Sequence, residues 1–525
     1  MDTNLDNELI EKLAKLKVKN PNRLNKAKRN FANKHRVGMI SNADLLSIYR
    51  KQLKAKKIKQ NPELELLLTK RKVRTMSGVA PVAVLTKPYK CPGKCAFCPD
   101  EKAMPKSYLS NEPAVMRAIL TQFDPYKQVT ARIRALTDNG HNTDKIELII
   151  MGGTWSYFPK QYQSWYIKRC FDACNRRKCK TIEQAHQWNE KAKHRIVALT
   201  VETRPDYVTE KDIIYWRKLG ATKVELGIQI ADDKVLKKND RGHDVQEIIK
   251  ATTLLRQAGF KIAYHLMPNL PGSTPAKDLA VFKKLFSNEG FQPDLIKIYP
   301  TVVTKNSKIF EWWQKGLYKP YKEKTLFELL LKMKLAVPEY VRIIRLIRDI
   351  PKESIEAGNQ ITNLREALQT ELKNQGKRCR CIRCREIKDQ KSNIKKAKLS
   401  IIKYKANQGE EQFLQFTNTK KDKLFAFLRL RLPNHDSKNF IPEIQDCAMI
   451  REIHTYGKLA PIHSKGDSVQ HHGFGTKLVA QAEKIAKDNG YSKIAVISGV
   501  GVRGYYKRLR YRLVGTYMVK SLNNK

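Results

Sequence analysis

The sequence predicts a multidomain α/β protein, with a partial (β/α) barrel at its centre and a smaller α/β transferase-like fold at its C-terminal end. Three observations predict it. The 525 residues exceed what one compact core accommodates. Between residues 73 and 350, short apolar runs alternate with longer amphipathic stretches, the pattern of βα units around a parallel sheet or barrel. A basic stretch, KDQKSNIKKAK, then precedes a last segment, 399–525, in which strand-like runs surround one well-defined helix.

Taken in order, residues 1–72 are dominated by Lys, Arg and Asn, with a short helical apolar pattern at NADLLSIY, and are read as a basic helical arm. The runs SGVAPVAVLT, KIELIIMGG, RIVALTVET, KVELGIQ, KIAYHLM and LIKIYP are read as buried strands. Beyond the linker, 351–398, the strand-like runs are KLFAFLRLRL, CAMIREIHTYG, KIAVISG and TYMVKSL, and the helix spans 476–489. Lys plus Arg outnumber Asp plus Glu by 102 to 51, a formal charge of +51. Such a field favours a polyanion, nucleic acid first and an anionic membrane surface second. No apolar run reaches the roughly 18 residues of a membrane span, and the N-terminus is acidic and mixed rather than a leader. The expectation is a cytoplasmic protein.

Ten cysteines, six of them in two tight triplets, point to metal ligands rather than disulfides. Cys91, Cys95 and Cys98 stand at C-x3-C-x2-C in a Gly/Pro-containing loop after an apolar strand. Three thiolates there can hold three irons of a [4Fe-4S] cluster and leave the fourth open to S-adenosylmethionine (SAM). A zinc knuckle short of one ligand is the alternative. With Phe97 before the third Cys, the loop resembles the radical SAM superfamily. Gly152 and Gly153 end one strand where backbone can approach the SAM amino group, and Glu202 and Arg204 end the next. Cys379, Cys381 and Cys384 sit in an Arg-rich setting that suits Zn2+ as an interdomain staple, with free thiols as the alternative and no visible fourth ligand. Cys170, Cys174, Cys179 and Cys447 are read as buried thiols.

Gln470-His471-His472-Gly473-Phe474-Gly475 opens the C-terminal helix, where free N–H groups and the helix dipole favour a pyrophosphate. This resembles the GNAT acetyltransferase fold. The resemblance implies acetyl-CoA, with Glu452, Ile453, His454 and Thr455 along the thioester, Phe474, Gly475 and Thr476 at the pyrophosphate, and Tyr505 or Tyr506 near the sulfur as proton donor. Glu202 and His454 are also candidate bases, with satisfied structural roles equally open.

A radical SAM domain ahead of a GNAT domain resembles the catalytic subunit of Elongator, the tRNA uridine(34) acetyltransferase family. TKPYKCPGKCAFCP, MGGTW, ETRPDY, NDRGH, HLMPNLPGST, RLIRDIPKESIEAGN and KIAVISGVGVRGYYKRLRY carry the resemblance from about residue 70 to the end. It implies that the cluster cleaves SAM, that the radical takes hydrogen from the acetyl-CoA methyl group, and that the carbon radical adds to C5 of the wobble uridine. Hydrolysis then leaves 5-carboxymethyluridine. Lys145 matches a lysine that the family associates with acetyl-CoA. The implied partners are a tRNA anticodon stem-loop, with the arm as its clamp, and an electron donor for the cluster, the chain acting as monomer or homodimer. Departures are Asp100-Glu101 after Pro99, Ile228 and Ile230 on either side of Gln229, and Gly504 and Arg510 near the tyrosines; none removes a ligand. Competing readings are a protein lysine acetyltransferase with a structural Fe–S domain and a noncatalytic tRNA scaffold.

Overall fold

The computed structural model describes residues 3–15, 20–70, 75, 77–387, 396–418, 420, 422–456 and 473–523. Its central sheet has seven strands: β1 (Ala80–Leu85), β2 (Lys145–Met151), β3 (Arg195–Thr203), β4 (Lys223–Gln229), β5 (Lys261–Leu266), β6 (Leu295–Ile298) and β7 (Arg342–Arg345). They lie in chain order, each parallel to the next, so every connection crosses over and carries helix. Those helices begin where a side chain can accept from the first free N–H groups. Asp124, Thr181, Thr209, Asp232, Asp244 and Thr274 each take the backbone N–H three residues on.

Strand alternation divides the sheet into two faces. In β2, Ile146, Leu148 and Ile150 are buried under the helices, while Lys145, Glu147, Ile149 and Met151 line a central lumen. The fold is thus a partial barrel with an apolar outside and a polar inside. The six apolar runs of the sequence are β1 to β6. β7 has no such run, because of its four residues, RIIR, only Ile343 is buried.

The N-terminal region is more than an arm. Helices Thr3–Lys15, Pro21–His35, Asn42–Lys54 and Pro62–Leu68 enclose a separate core in which Ile10, Leu13, Leu45, Leu46, Tyr49 and Leu68 are fully buried. Arg50 ties this unit to the barrel by donating to the Thr137 carbonyl at 2.8 Å while pairing with Glu65 at 3.1 Å. Its apolar positions are dispersed among lysines, which is why the sequence shows one helical pattern rather than four.

A second sheet holds β8 (Lys398–Lys405), β9 (Gly409–Thr417), β10 (Leu424–Pro433), β11 (Cys447–Thr455), β12 (Lys493–Val496), β13 (Arg512–Val514) and β14 (Tyr517–Ser521), in the order β13-β14-β12-β11-β10-β9-β8. All its pairings are antiparallel except β11 with β12. That pairing stops at Ile450 and Val496, and β11 runs on without β12 to Thr455. The helix Phe474–Asp488 starts beside this opening, two residues earlier than the sequence predicts. This is the splayed-strand arrangement of an acetyltransferase fold. β8 and β9 were not legible: β8 is largely exposed, and β9 buries Glu411, Gln412 and Gln415 among its apolar residues.

The two sheets meet over buried charge. Arg451 of β11 reaches Asp294, just before β6, with Nη2 to Oδ1 at 2.5 Å and Nη1 to Oδ2 at 2.8 Å, and holds Glu411 at 2.8 Å. Arg429 lies 3.5 Å from Asp294 and 3.0 Å from Glu452. All of these side chains except Glu452 are almost wholly enclosed. Against burial, which would raise it, Arg451, Arg429 and Arg256 hold the Asp294 carboxyl well below the usual carboxylate range. Losing one partner from such a cluster leaves an uncompensated charge, at roughly 3–5 kcal/mol. Asp294→Asn should therefore lower unfolding stability by about that amount at pH 7, measured by urea denaturation. A carboxyl depressed in the folded state stabilises fully above its unfolded pKa of about 3.9 and loses that stabilisation as pH falls toward its folded value, so the difference from wild type should shrink as pH falls below about 4. An unchanged midpoint at pH 7 contradicts this account.

Candidate active site in the barrel lumen

One cavity of about 1790 Å3 runs through the barrel. It exceeds the roughly 300–1,000 Å3 of an ordinary small-ligand pocket, so it has room for more than one ligand. At the C-terminal ends of the strands it is lined by Cys91, Cys95, Cys98, Gly153, Glu202 and Arg204. At the opposite rim it is lined by Lys145, Lys223, Lys261 and Arg342, the first residues of β2, β4, β5 and β7, and by Glu452, Ile453, His454, Thr455, Gly475, Thr476, Tyr505 and Tyr506. The two groups of residues singled out in the sequence thus face one space. Gly152 and Phe474 are not on its wall. Gly152 has φ +127° and backs onto Thr86, where a Cβ would lie 1.9 Å from the hydroxyl oxygen. Phe474 packs its ring on Phe416 at 4.7 Å. Gln470, His471 and His472 lie outside the described residues.

The three-cysteine loop is held from the barrel side. Arg241 donates to Cys95 Sγ at 3.0 Å, and Arg204, clamped by Asp206 at 2.7 and 3.0 Å, points Nη1 at the same sulfur from 3.9 Å. A hydrogen bond from Cys98, opposed by burial and helped by Arg241 and Arg204, brings Cys95 down to about 5. Cys91 stands apart, with Sγ 3.7 Å from the Thr154 hydroxyl. A single zinc with Zn–S near 2.3 Å draws its sulfurs to about 3.8 Å from one another. Cys379, Cys381 and Cys384 have closed up in this way, with sulfurs within 4.8 Å, and Cys91, Cys95 and Cys98 have not. The spread loop suits a larger body bound at three corners, such as a four-iron cluster, and the tight triplet suits one ion. That tight triplet joins the sheets: Ile382 N–H bonds to Val341, and Arg385 reaches both Glu339 and Gln415.

Between the two ends runs a chain of charges. Lys223 pairs with Glu147 at 2.7 Å and Glu225 at 3.5 Å; Lys297 pairs with Glu225 and, at 3.2 Å, with Glu202; Tyr108 donates to Glu202 at 3.1 Å; and His265 meets Glu225 at 2.9 Å. Against burial, Lys297 and Lys223 keep Glu225 well below the usual carboxylate range. Glu202 and Arg204 are therefore both engaged within the protein, Glu202 in this chain and Arg204 over the cysteine loop. The sequence reading missed Glu147, Lys223, Glu225, His265 and Lys297. Their signal was present as single charged letters at alternate positions of otherwise apolar strands, in KIELIIM, KVELGIQ, KIAYHLM and LIKI.

At the far rim, β11 presents Glu452, which burial would raise but Lys261 and Arg429 hold at about 2. Burial keeps His454 below its ordinary value, and its Nε2 donates to the Ser77 carbonyl. Tyr505 has its hydroxyl buried without a partner of good geometry among the described residues, beside Thr476 and over Gly475, where a Cβ would come within 3.0 Å of it. Tyr506 is more enclosed, 3 % exposed. Burial also lowers Lys145.

Comparison with known proteins agrees with this architecture. Residues 86–285 match the radical SAM superfamily and residues 293–374 match the radical SAM C-terminal domain. The chain is a radical SAM protein, a class that implies a [4Fe-4S] cluster and SAM. It is 46% identical over 502 residues to the tRNA uridine(34) acetyltransferase of Methanocaldococcus infernus, covering 93% of this chain and 92% of that one. It is 37% identical to Elongator complex protein 3 of Danio rerio, over 87% of this chain and 86% of that one. The solved structure of the archaeal Methanocaldococcus infernus Elp3 with an N-terminal deletion superposes with a TM-score of 0.75 at 43% identity, covering 85% of this chain and 99% of that one. The chain belongs to the family formed by the tRNA uridine(34) acetyltransferases and Elongator complex protein 3.

The lumen chain makes a direct prediction. Lys297→Met should destabilise the fold by about 3–5 kcal/mol, because Glu202 and Glu225 lose their shared cation. Adding Glu225→Gln should recover part of the loss in urea unfolding. A double variant no more stable than the single one would show that the charges do not act as a chain.

Proposed function

We propose that this protein modifies C5 of uridine 34 in tRNA with SAM and acetyl-CoA, leaving 5-carboxymethyluridine. The observation that carries the reading is the single lumen faced by Cys91, Cys95 and Cys98 at one end and by β11 and the Phe474–Asp488 helix at the other. Two separate pockets would serve two independent reactions; one shared space serves a reaction that needs both cofactors. Family relatives named for uridine(34) of tRNA supply the substrate.

Cys91, Cys95 and Cys98 would bind the [4Fe-4S] cluster, which with SAM supplies a 5'-deoxyadenosyl radical able to take hydrogen from an unactivated methyl group. The Cys98 hydrogen bond, with help from Arg241 and Arg204, favours Cys95 as the thiolate that such a ligand must be. Gly153, φ +99° with open space where a Cβ would stand, leaves backbone free to meet the SAM amino group, and Gly152 sets the turn behind it. On the other rim, the N-terminus of the Phe474–Asp488 helix, with Gly475 and Thr476, offers N–H groups to the CoA pyrophosphate. The stretch of β11 beyond its pairing with β12, Glu452 to Thr455, stays bonded to β10 on one side and offers its other edge to the pantetheine arm and thioester. Tyr505, whose hydroxyl has no partner of good geometry among the described residues, is the proton donor toward the sulfur in preference to the more enclosed Tyr506. Lys145 at the same rim would meet the CoA end. Cys379, Cys381 and Cys384 would hold Zn2+ as a staple between the sheets. The N-terminal helical unit would bind tRNA phosphates through its lysines and arginines.

Anaerobically reconstituted protein, incubated with SAM, acetyl-CoA, a reductant and tRNA, should yield 5-carboxymethyluridine by nucleoside mass spectrometry, and Cys95→Ala should yield none. Removal of residues 1–70 should weaken tRNA binding in a salt-dependent way. Unmodified uridine together with acetylated lysines on a protein substrate would overturn the reading in favour of a protein acetyltransferase. For the staple, metal analysis should find one zinc per chain, lost with several degrees of Tm in Cys384→Ser; a full zinc complement in that variant would remove the triplet from the assignment.

A further inference from the structure

An aromatic ridge borders the cysteine end of the lumen. Tyr89, two residues before Cys91, stacks on Phe158 with ring centroids 4.7 Å apart and planes 25° apart; Phe158 stacks on Tyr162 at 4.9 Å and 21°. Trp165 extends the row at 5.6 Å from Tyr162. Beside it Tyr157 lies 6.2 Å from Tyr89 and edge-on to Tyr207 at 5.8 Å. Phe158 is covered, but Tyr89 and Tyr157 are each 40% exposed and Trp165 44%. The ridge touches the lumen at both flanks: Thr154, three residues before Tyr157, meets Cys91 Sγ, and Arg204 lies 5.8 Å over the Tyr207 ring.

Large exposed rings cost free energy in water unless something covers them. The charges around them say what kind of partner fits. Lys87 sits over Tyr162 at 5.0 Å, and Lys90 and Lys94 are exposed on the same loop as Tyr89; Lys160, over the neighbouring Tyr215 at 4.9 Å, is held by Asp212. Ring faces interleaved with cations on a chain of formal charge +51 match a partner that carries flat π-faces on an anionic backbone. An acidic protein would use the lysines but has no need of a row of ring faces.

We infer that this ridge is a stacking platform for unpaired tRNA bases that flank the base entering the lumen, with Tyr89 and Tyr157 as the exposed steps. The inference rests on the tRNA reading above and adds to it the surface that orients the anticodon loop. Unstacked loop bases find aromatic partners in this way without sequence choice. The ridge thus holds the neighbours of uridine 34 while the pocket selects the uridine.

The test uses the full chain and tRNA carrying 2-aminopurine next to uridine 34. Wild type should bind and change the fluorescence of the probe. Tyr89→Ala and Tyr157→Ala should each bind about tenfold more weakly, the scale of one lost base–aromatic stack, with the probe signal reduced. Tyr89→Phe, which keeps the ring, should bind within about twofold of wild type, and none of the three should change the slope of log affinity against log salt, because no phosphate contact is lost. Wild-type affinity and probe signal in both alanine variants would overturn the inference while leaving the tRNA reading intact. Unchanged tRNA binding with slower reduction of the reconstituted cluster by an acidic flavoprotein would assign the ridge to an electron donor instead. Failure of wild type to bind the tRNA at all would sink the underlying reading.

Discussion

The knot of Arg451 and Arg429 with Asp294, Glu411 and Glu452 is the constraint on which the rest depends. Desolvating that many charges is costly, and the cost is offset only if each meets its partners at hydrogen-bond distance, which allows the two sheets one relative placement. An apolar interface of the same size would tolerate sliding; this one does not. Because Arg451 and Glu452 belong to β11, locking them also sets the end of that strand that runs on past β12 at the rim of the barrel, where Lys261 meets Glu452 at 3.4 Å. The fold's stability and the alignment of the two ends of its lumen therefore come from the same contacts.

The lumen between those ends needs a polar lining that does not collapse. Apolar side chains there would pack together as they do in the layered core of a closed barrel. Glu147 of β2, Glu202 of β3, Lys223 and Glu225 of β4 and Lys297 of β6 are instead satisfied by one another along the walls. They keep the channel open, and they place fixed charges rather than water around whatever passes through it. The seven-strand sheet is open, with β1 and β7 as its two edges.

How much of this could be read from the sequence follows from how local the signal is. β1 to β6, the cysteine spacings and the helix after Gly473 are each specified by a few adjacent residues, and each was legible. β7 and β9 were not, because β7 is short and β9 buries Glu411, Gln412 and Gln415 for the benefit of residues from Arg385 to Arg451, partners that periodicity cannot see. The helical core under Lys-rich residues 3–68 was hidden for a similar reason: its apolar positions make sense only when four helices are brought together. The roles expected of Glu202 and Arg204 changed most. Both stand where they were expected, on the cavity wall, yet their charges are spent on Lys297 and Asp206. Composition cannot distinguish a group aimed at a ligand from one holding the site together.

The central claim is that both cofactors react within one lumen. Anaerobic incubation of the reconstituted protein with SAM and acetyl-CoA deuterated on its methyl group tests it most directly, with mass analysis of the 5'-deoxyadenosine released. The account predicts deuterium in the 5'-methyl group of that product. Release of 5'-deoxyadenosine without deuterium, under conditions where acetyl-CoA is bound, would show that the two ends of the lumen do not share a reaction and would contradict the account.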